Sequence, residues 1–239
     1  MSARDDALTL LVHAIQNQPR TLQSRLGPSE LGRCPRYLLH KLAGTPEPTA
    51  PPALKPVIGT AAHALFLDRW FPAADPAETR WVTERRVTIG AFADGTPITG
   101  SCDLYDRDTR TVIDLKFLGK SSLTNYKANG PGNTYRTQVH LYGLGFAREP
   151  DQPIPENVAI WMLPRDGEIR DAHWWEEPWQ PQIALDALNR LGQLEAELRL
   201  VGLDEALKDH APCTDPWCGW CRAATRPTTT AALFAQHLK

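Results

Sequence analysis

Apolar and polar positions alternate along three successive stretches of the chain, 80–90, 96–106 and 110–118, with the two-residue period of strands that bury one face. The last two are joined by Arg107-Asp108-Thr109-Arg110, whose chemistry is that of a turn, so they form a hairpin. Elsewhere the period lengthens to that of a helix: over Asp5–Gln16, over Ser29–Leu42 with Ser29 as N-cap, Cys34 inside and a break at Pro35, over Gly59–Phe71, and over Thr134–Ala147. Further strands near 157–163 and 168–175 precede a long amphipathic helix over Gln180–Val201. The proline-rich stretch Thr45–Pro56 reads as a linker or surface loop. Gly119–Asn133, rich in Ser, Asn, Gly and Lys, reads as a long loop that could grip a strand.

The hairpin carries the chemistry. With the turn centred on Asp108-Thr109, pairing runs Arg107 with Arg110, Tyr105 with Val112 and Asp103 with Asp114. Two carboxylates then face each other with Cβ atoms roughly 5 Å apart. Like charges so close repel unless a cation lies between them, and carboxylate oxygens are the ligands that Mg²⁺ and Mn²⁺ prefer. Lys116 shares the face of both acids, where its ammonium can orient a metal-bound water, while Cys102, Leu104, Ile113 and Leu115 point into the core. Gln138 and Tyr142, four apart, stack on one helical face, and His63 offers an imidazole as a third protein ligand. Glu84 offers a further acid to the site but reads first as a solvated charge, and Asp106 reads as the start of the turn.

Taken in order, Gly59-x-x-x-His63, Gly100-x-x-Asp103, Asp114-x-Lys116 and Gln138-x-x-x-Tyr142 resemble the RecB-like branch of the PD-(D/E)xK nuclease superfamily. The resemblance implies an α/β, restriction-endonuclease-like core with a mixed central sheet flanked by helices. It implies that His63, Asp103, Asp114 and the Leu115 carbonyl hold Mg²⁺ or Mn²⁺, that Lys116 assists the attacking water, and that Gln138 and Tyr142 contact substrate or brace the site. The implied activity is a DNA exonuclease acting on single-stranded ends, in recombination, repair, phage DNA processing or CRISPR adaptation, with a protein partner from one of those processes. A non-catalytic DNA-binding or scaffold module of the same fold is the alternative.

Cys34 stands alone near the start, whereas Cys213, Cys218 and Cys221 cluster near the end, bracketing the nuclease motifs. This layout, with Cys34-Pro35-Arg36, resembles the AddB-type and CRISPR-associated RecB-like iron-sulfur exonucleases. It implies a [4Fe-4S] cluster on the four thiolates, joining the N- and C-terminal segments. Those families carry the late trio as C-x2-C-x5-C, and here it is C-x4-C-x2-C. Zinc is the alternative, on the same four cysteines or on His210, Cys213, Cys218 and Cys221. Trp217 and Trp220 read as shields for this site, Trp174, Trp175 and Trp179 as packing for the late strands and helix.

Composition adds limits. The 239 residues, 42% hydrophobic, suit one globular unit; the resemblance implies a single RecB-like domain over 1–239, with a nuclease core at about 57–178 and a cluster lobe from about 22–44 and 179–225. The opening residues lack the pattern of a signal peptide and no stretch is apolar enough to span a bilayer, so a cytoplasmic protein with reduced or metal-bound thiols is expected. Net charge is only −2, yet residues 107–148 carry seven Lys or Arg against Asp108 and Asp114. Lys120, Lys127 and Arg136 are the candidates for DNA phosphate contacts.

Overall fold

The computed structural model describes residues 2–17, 25–48 and 53–225. Residues 22–24 of the expected cluster lobe and 49–52 of the proline-rich stretch lie outside the described residues. The chain divides into two compact units, one of residues 1–33 and 51–193, the other of 34–50 and 194–239. No described helix is long and apolar enough to cross a membrane.

The first unit is built on a five-stranded sheet in the order β1-β2-β3-β4-β5, with β1 Trp81–Ala91, β2 Pro97–Asp106, β3 Thr111–Leu118, β4 Asn157–Pro164 and β5 His173–Pro178. β3 and β4 are parallel and every other pair is antiparallel. A parallel pair requires a crossover, and here α5 (Lys120–Asn129) and α6 (Gly132–Phe146) supply it. The β2–β3 turn is held by Asp106, which accepts hydrogen bonds from Arg80, Thr109 and the Asp108 amide. Its register is the expected one, with Tyr105 opposite Val112.

Side-chain alternation divides the sheet. Leu104, Ile113, Leu115, Ala159 and Leu163 form a buried cluster on one face with Leu67. Leu67 lies in a π-helical turn, Phe66–Trp70, that continues α3 (Leu54–Leu65) into α4 (Phe71–Ala74). The other face takes α6, whose Phe146 stacks on Tyr105 with ring centroids 4.5 Å apart. Two glycines permit that approach: a Cβ on Gly145 would meet Val87 Cγ2 at 2.5 Å, and one on Gly143 would meet the Trp179 ring at 2.4 Å.

Four expectations are corrected. The stretch Gly119–Asn133 is a helix, α5, over most of its length, although Leu123 is the one buried residue of that helix. Its composition resembles a loop because packing on β4, and not intrinsic propensity, holds the helix. Helix α2 spans Pro35–Leu42 and not Ser29–Leu42: Pro35 starts it, since the first turn needs no proline N–H, and Cys34 is its N-cap, accepting the Tyr37 amide at 3.4 Å. The helix expected at Gly59–Phe71 starts at Leu54, which takes the end of the proline-rich stretch into α3, with Pro56 in a first turn that tolerates it. The strand placed at 168–175 starts at His173, after a 3₁₀ turn at Ile169–Asp171.

In the second unit α2 packs against α8 (Leu203–Asp209) and α9 (Gly219–Thr225), and the division between units falls within α7 (Pro181–Val201). Arg36 ties α2 to the α8 end by donating to the Leu207 and His210 carbonyls at 2.6 and 2.9 Å.

Gly145→Ala tests the α6 approach. Alanine favours the helix by about 1 kcal/mol over glycine, but the clash with the stiff Val87 side chain costs about 1–3 kcal/mol. The expected result is a lower urea midpoint at unchanged slope; a raised midpoint would show that this contact does not limit the packing.

Candidate active site and four-cysteine site

Strands β2 and β3 pair over only three positions, Asp106↔Thr111, Tyr105↔Val112 and Leu104↔Ile113, and then part. Asp103 and Asp114 are the first residues beyond the last pair, so they lie in the opening of a fork. Asp103 Oδ2 accepts the Leu115 amide at 2.7 Å, a side chain standing where a strand carbonyl would otherwise serve. Its Oδ1 is 3.5 Å from His63 Nδ1 on α3. The His63 ring sits edge-on to Phe117 at 5.4 Å. Burial disfavours the charged imidazole, but the bond to Asp103 and the charges of Asp103 and Asp114 outweigh it and raise its pKa.

Asp114 is 1% exposed. Its Oδ1 accepts a hydrogen bond from Gln138 Nε2 at 2.9 Å. Its Oδ2, 2.6 Å from Lys116 Nζ, receives that charge without a directed hydrogen bond, which leaves a lone pair for a cation. Burial pushes the Asp114 carboxyl up to about 6, with Asp103 adding to the shift and Lys116 opposing it. Lys116 is fixed from its other side by the Tyr135 ring, 4.9 Å from Nζ to the centroid. Gln138 Nε2 also reaches the Tyr142 hydroxyl at 3.5 Å, as expected for residues one helical turn apart. Burial, with the charges of Asp114 and Asp103, holds the Tyr142 phenol well above its usual range.

Glu84, for which the sequence favoured a solvated charge over a place in the acidic site, lies at the site. It stands opposite Asp103 on β1, between the pairs Thr83↔Leu104 and Arg85↔Cys102, with a left-handed φ of 47°. Ligand atoms of His63, Glu84 and Asp103 all lie within 4.8 Å of one another. Desolvation, then the charges of Asp103 and Asp68, raise its carboxyl pKa. These two carboxylates and the imidazole are an oxygen-and-nitrogen donor set suited to Mg²⁺ or Mn²⁺; Asp114, the neighbouring acid on β3, is not within the same close group.

The basic residues divide. Arg136 Nε donates to Glu177 Oε1 at 2.6 Å, beside His140, whose Nε2 is 2.6 Å from the same oxygen. His140 Nδ1 accepts the Gln180 amide, so Nε2 carries the proton, and burial keeps this imidazole neutral. Arg136 thus braces α6 to β5. Arg107, Arg110 and Arg148 are likewise engaged, by Gln152, Glu156 and the Ile89 carbonyl. Lys120 and Lys127 are exposed on α5.

In the second unit the Sγ atoms of Cys34, Cys213, Cys218 and Cys221 lie within 4.8 Å of one another, with no disulfide among them. Cys34 Sγ is 3.6 Å from Cys221 Sγ and 3.9 Å from Cys218 Sγ. Burial pushes the Cys218 thiol up to about 11 and Cys34 higher still. Cys221 is lowered despite its burial, by hydrogen bonds from the Cys213 backbone and the neighbouring thiols. His210 is not in this group: its Nε2 is 2.9 Å from Glu197. Trp220 is buried and stacks on His40 with ring centroids 5.0 Å apart, whereas Trp217 is 77% exposed and cannot serve as the expected shield. Cys102, on β2 of the first unit, is fully buried and inert.

No family model matches the chain, and no curated protein sequence matches it. Solved structures do. The alkaline exonuclease LHK-Exo from Laribacter hongkongensis superposes with a TM-score of 0.51 at 11% identity, covering 84% of this chain and 97% of that one. LHK-Exo in complex with dAMP gives 0.53 at 12% identity, over 78% and 93% of the two chains. SSO0001 gives 0.49 at 17% identity, over 84% and 89%. The likeness to the alkaline exonuclease is one of fold: the chain shares its architecture of a central sheet flanked by helices.

Gln138→Leu keeps the volume at α6 but removes the donor to a buried carboxylate. The expected loss is about 1–3 kcal/mol in chemical denaturation at neutral pH; unchanged stability would mean that Asp114 is held by Lys116 alone.

Proposed function

We propose that the protein is a divalent-metal-dependent deoxyribonuclease that removes nucleotides from DNA ends. The observation that carries this reading is the fork. Two carboxylates, with a lysine on the same strand as one of them, stand where β2 and β3 part, and His63 and Glu84 reach Asp103 from α3 and β1. Asp114 is buried, yet its Oδ2 has no hydrogen-bond partner among the described residues, the kind of position that a bound cation would complete. The nuclease-type fold supports the same reading.

In this reading Asp103, Asp114, His63 and Glu84, with the Leu115 carbonyl, hold Mg²⁺ or Mn²⁺. Such an ion, when bound, makes a coordinated water more acidic and offsets the charge that builds on the phosphoryl oxygens. Lys116, gripped between Asp114 and the Tyr135 ring, directs its ammonium to the attacking water. Gln138 fixes the orientation of the Asp114 carboxylate, and Tyr142 supports Gln138. Lys120 and Lys127, exposed on the helix that follows β3, meet the phosphates of the strand; Arg136, paired to Glu177, contributes to the brace instead. A preference for single-stranded ends, and a place in recombination, repair, phage DNA processing or CRISPR adaptation, follow from the family resemblance and rest on it alone.

End-labelled single-stranded and duplex DNA, incubated with Mg²⁺ or Mn²⁺ and resolved by length, tests the proposal. Cleavage should require the metal and fall by at least ~10²-fold in Lys116→Met and Asp114→Asn. Glu84→Gln should raise the Mn²⁺ concentration needed for half-maximal cleavage. Cleavage at the normal rate in both Lys116→Met and Asp114→Asn would remove the fork from the mechanism.

A further inference from the structure

The four-cysteine site does not match the iron-sulfur cluster that its layout resembles. A [4Fe-4S] cluster ends each of its four thiolates on a different iron. Two thiolate sulfurs on such a cluster are therefore separated by two iron-sulfur bonds splayed outward and by an iron-iron edge between them. A single tetrahedral zinc places all four sulfurs about 2.3 Å from one centre, which sets every sulfur-sulfur edge near 3.8 Å. Two of the three edges from Cys34, to Cys221 and Cys218, are 3.6 and 3.9 Å, and no pair in the set exceeds 4.8 Å. The sulfurs surround one ion's volume and leave no room for a cube of eight atoms.

The local chain agrees with the distances. Cys218 immediately precedes α9 and Cys221 lies in its first turn, so the C-x2-C segment wraps a helix start, a common way for two zinc ligands to be presented. Cys34 comes from a second helix N-terminus, capping α2 while its sulfur faces the other three. With His210 committed to Glu197, the donor set is four sulfurs with no open position. Four buried or half-buried thiols in mutual contact are held apart from solvent without forming disulfides, an arrangement that calls for a cation.

We propose that Cys34, Cys213, Cys218 and Cys221 bind one structural zinc ion, tying α2 to the turn before α9 in the second unit. Closed S₄ coordination makes the site a fold-stabilising clip with no part in the chemistry at the fork. The proposal is independent of the nuclease reading. It separates this protein from iron-sulfur nucleases in one practical respect: its integrity depends on zinc supply and on chelators, and not on protection from oxygen.

The test is metal and acid-labile sulfide analysis of the full-length protein, purified anaerobically from cells supplied with both iron and zinc and washed with EDTA, followed by zinc X-ray absorption on the same sample. The expected result is about one zinc per chain, no sulfide, and a single shell of four sulfurs near 2.3 Å. Cys213→Ser should lose the zinc and Asp114→Asn should keep it, which distinguishes this site from the carboxylates of the fork. If Cys213→Ser fails to fold, release of zinc from the wild-type protein by a thiol-modifying reagent, in step with modification of four thiols, provides the same discrimination. Stoichiometric iron and sulfide, a metal-free protein, or zinc bound through nitrogen or oxygen would each overturn the proposal.

Discussion

The structure turns on one substituted hydrogen bond. Where β2 leaves β3, the Leu115 amide would lose its strand partner, and the Asp103 carboxylate takes that role at 2.7 Å. A buried amide without an acceptor is costly, so the acid is anchored at the base of the fork by the needs of the sheet itself. The same bond aims the other Asp103 oxygen at His63 and fixes the separation from Asp114. The site is thus rigid for the reason that the sheet is rigid: the groups that would hold a metal are also the groups that close the ladder.

Around this anchor the electrostatics are arranged in opposition. Asp114 is buried, next to Asp103, and its affinity for a proton is raised, while Lys116 and Gln138 each act to keep it ionised. Neither influence fully cancels the crowding of negative charge. A divalent ion would relieve it, and the residues nearest the acids are held in place by second contacts, Lys116 by Tyr135 and Gln138 by Tyr142.

Much of this was legible in the sequence where a short local rule decides the outcome. The β2–β3 register followed from the turn at Asp108-Thr109, and alternation supports it, because a one-residue slip would put Leu104 on the face opposite Ile113 and Leu115. The Gln138/Tyr142 face followed from helical spacing. The choice between the two readings of Glu84 turned on a bulge. The pairs nearest the β1–β2 turn, Ala91↔Pro97 and Gly90↔Ile98, extrapolate to Glu84 opposite Leu104; the shift between Thr88 and Gly90 moves it opposite Asp103 instead. Helix α5 was hidden for another reason, since its Ser, Asn and Lys residues favour no structure strongly and Leu123 alone is buried. The role of Arg136 depended on Glu177, a partner on a strand whose start could not be read from sequence.

The four cysteines also set an order of events during synthesis. Cys34 and Cys218 are 184 positions apart, and residues 51–193, which include every strand of the sheet unit, lie between them. At about 5–20 residues per second, the first thiol emerges from the ribosome roughly 10–40 s before its partners exist. Through that interval the sheet unit can complete its own core while the early segment has nothing to bind. The second unit, assembled from both sides of an intervening sequence, is therefore the last part of the protein able to form.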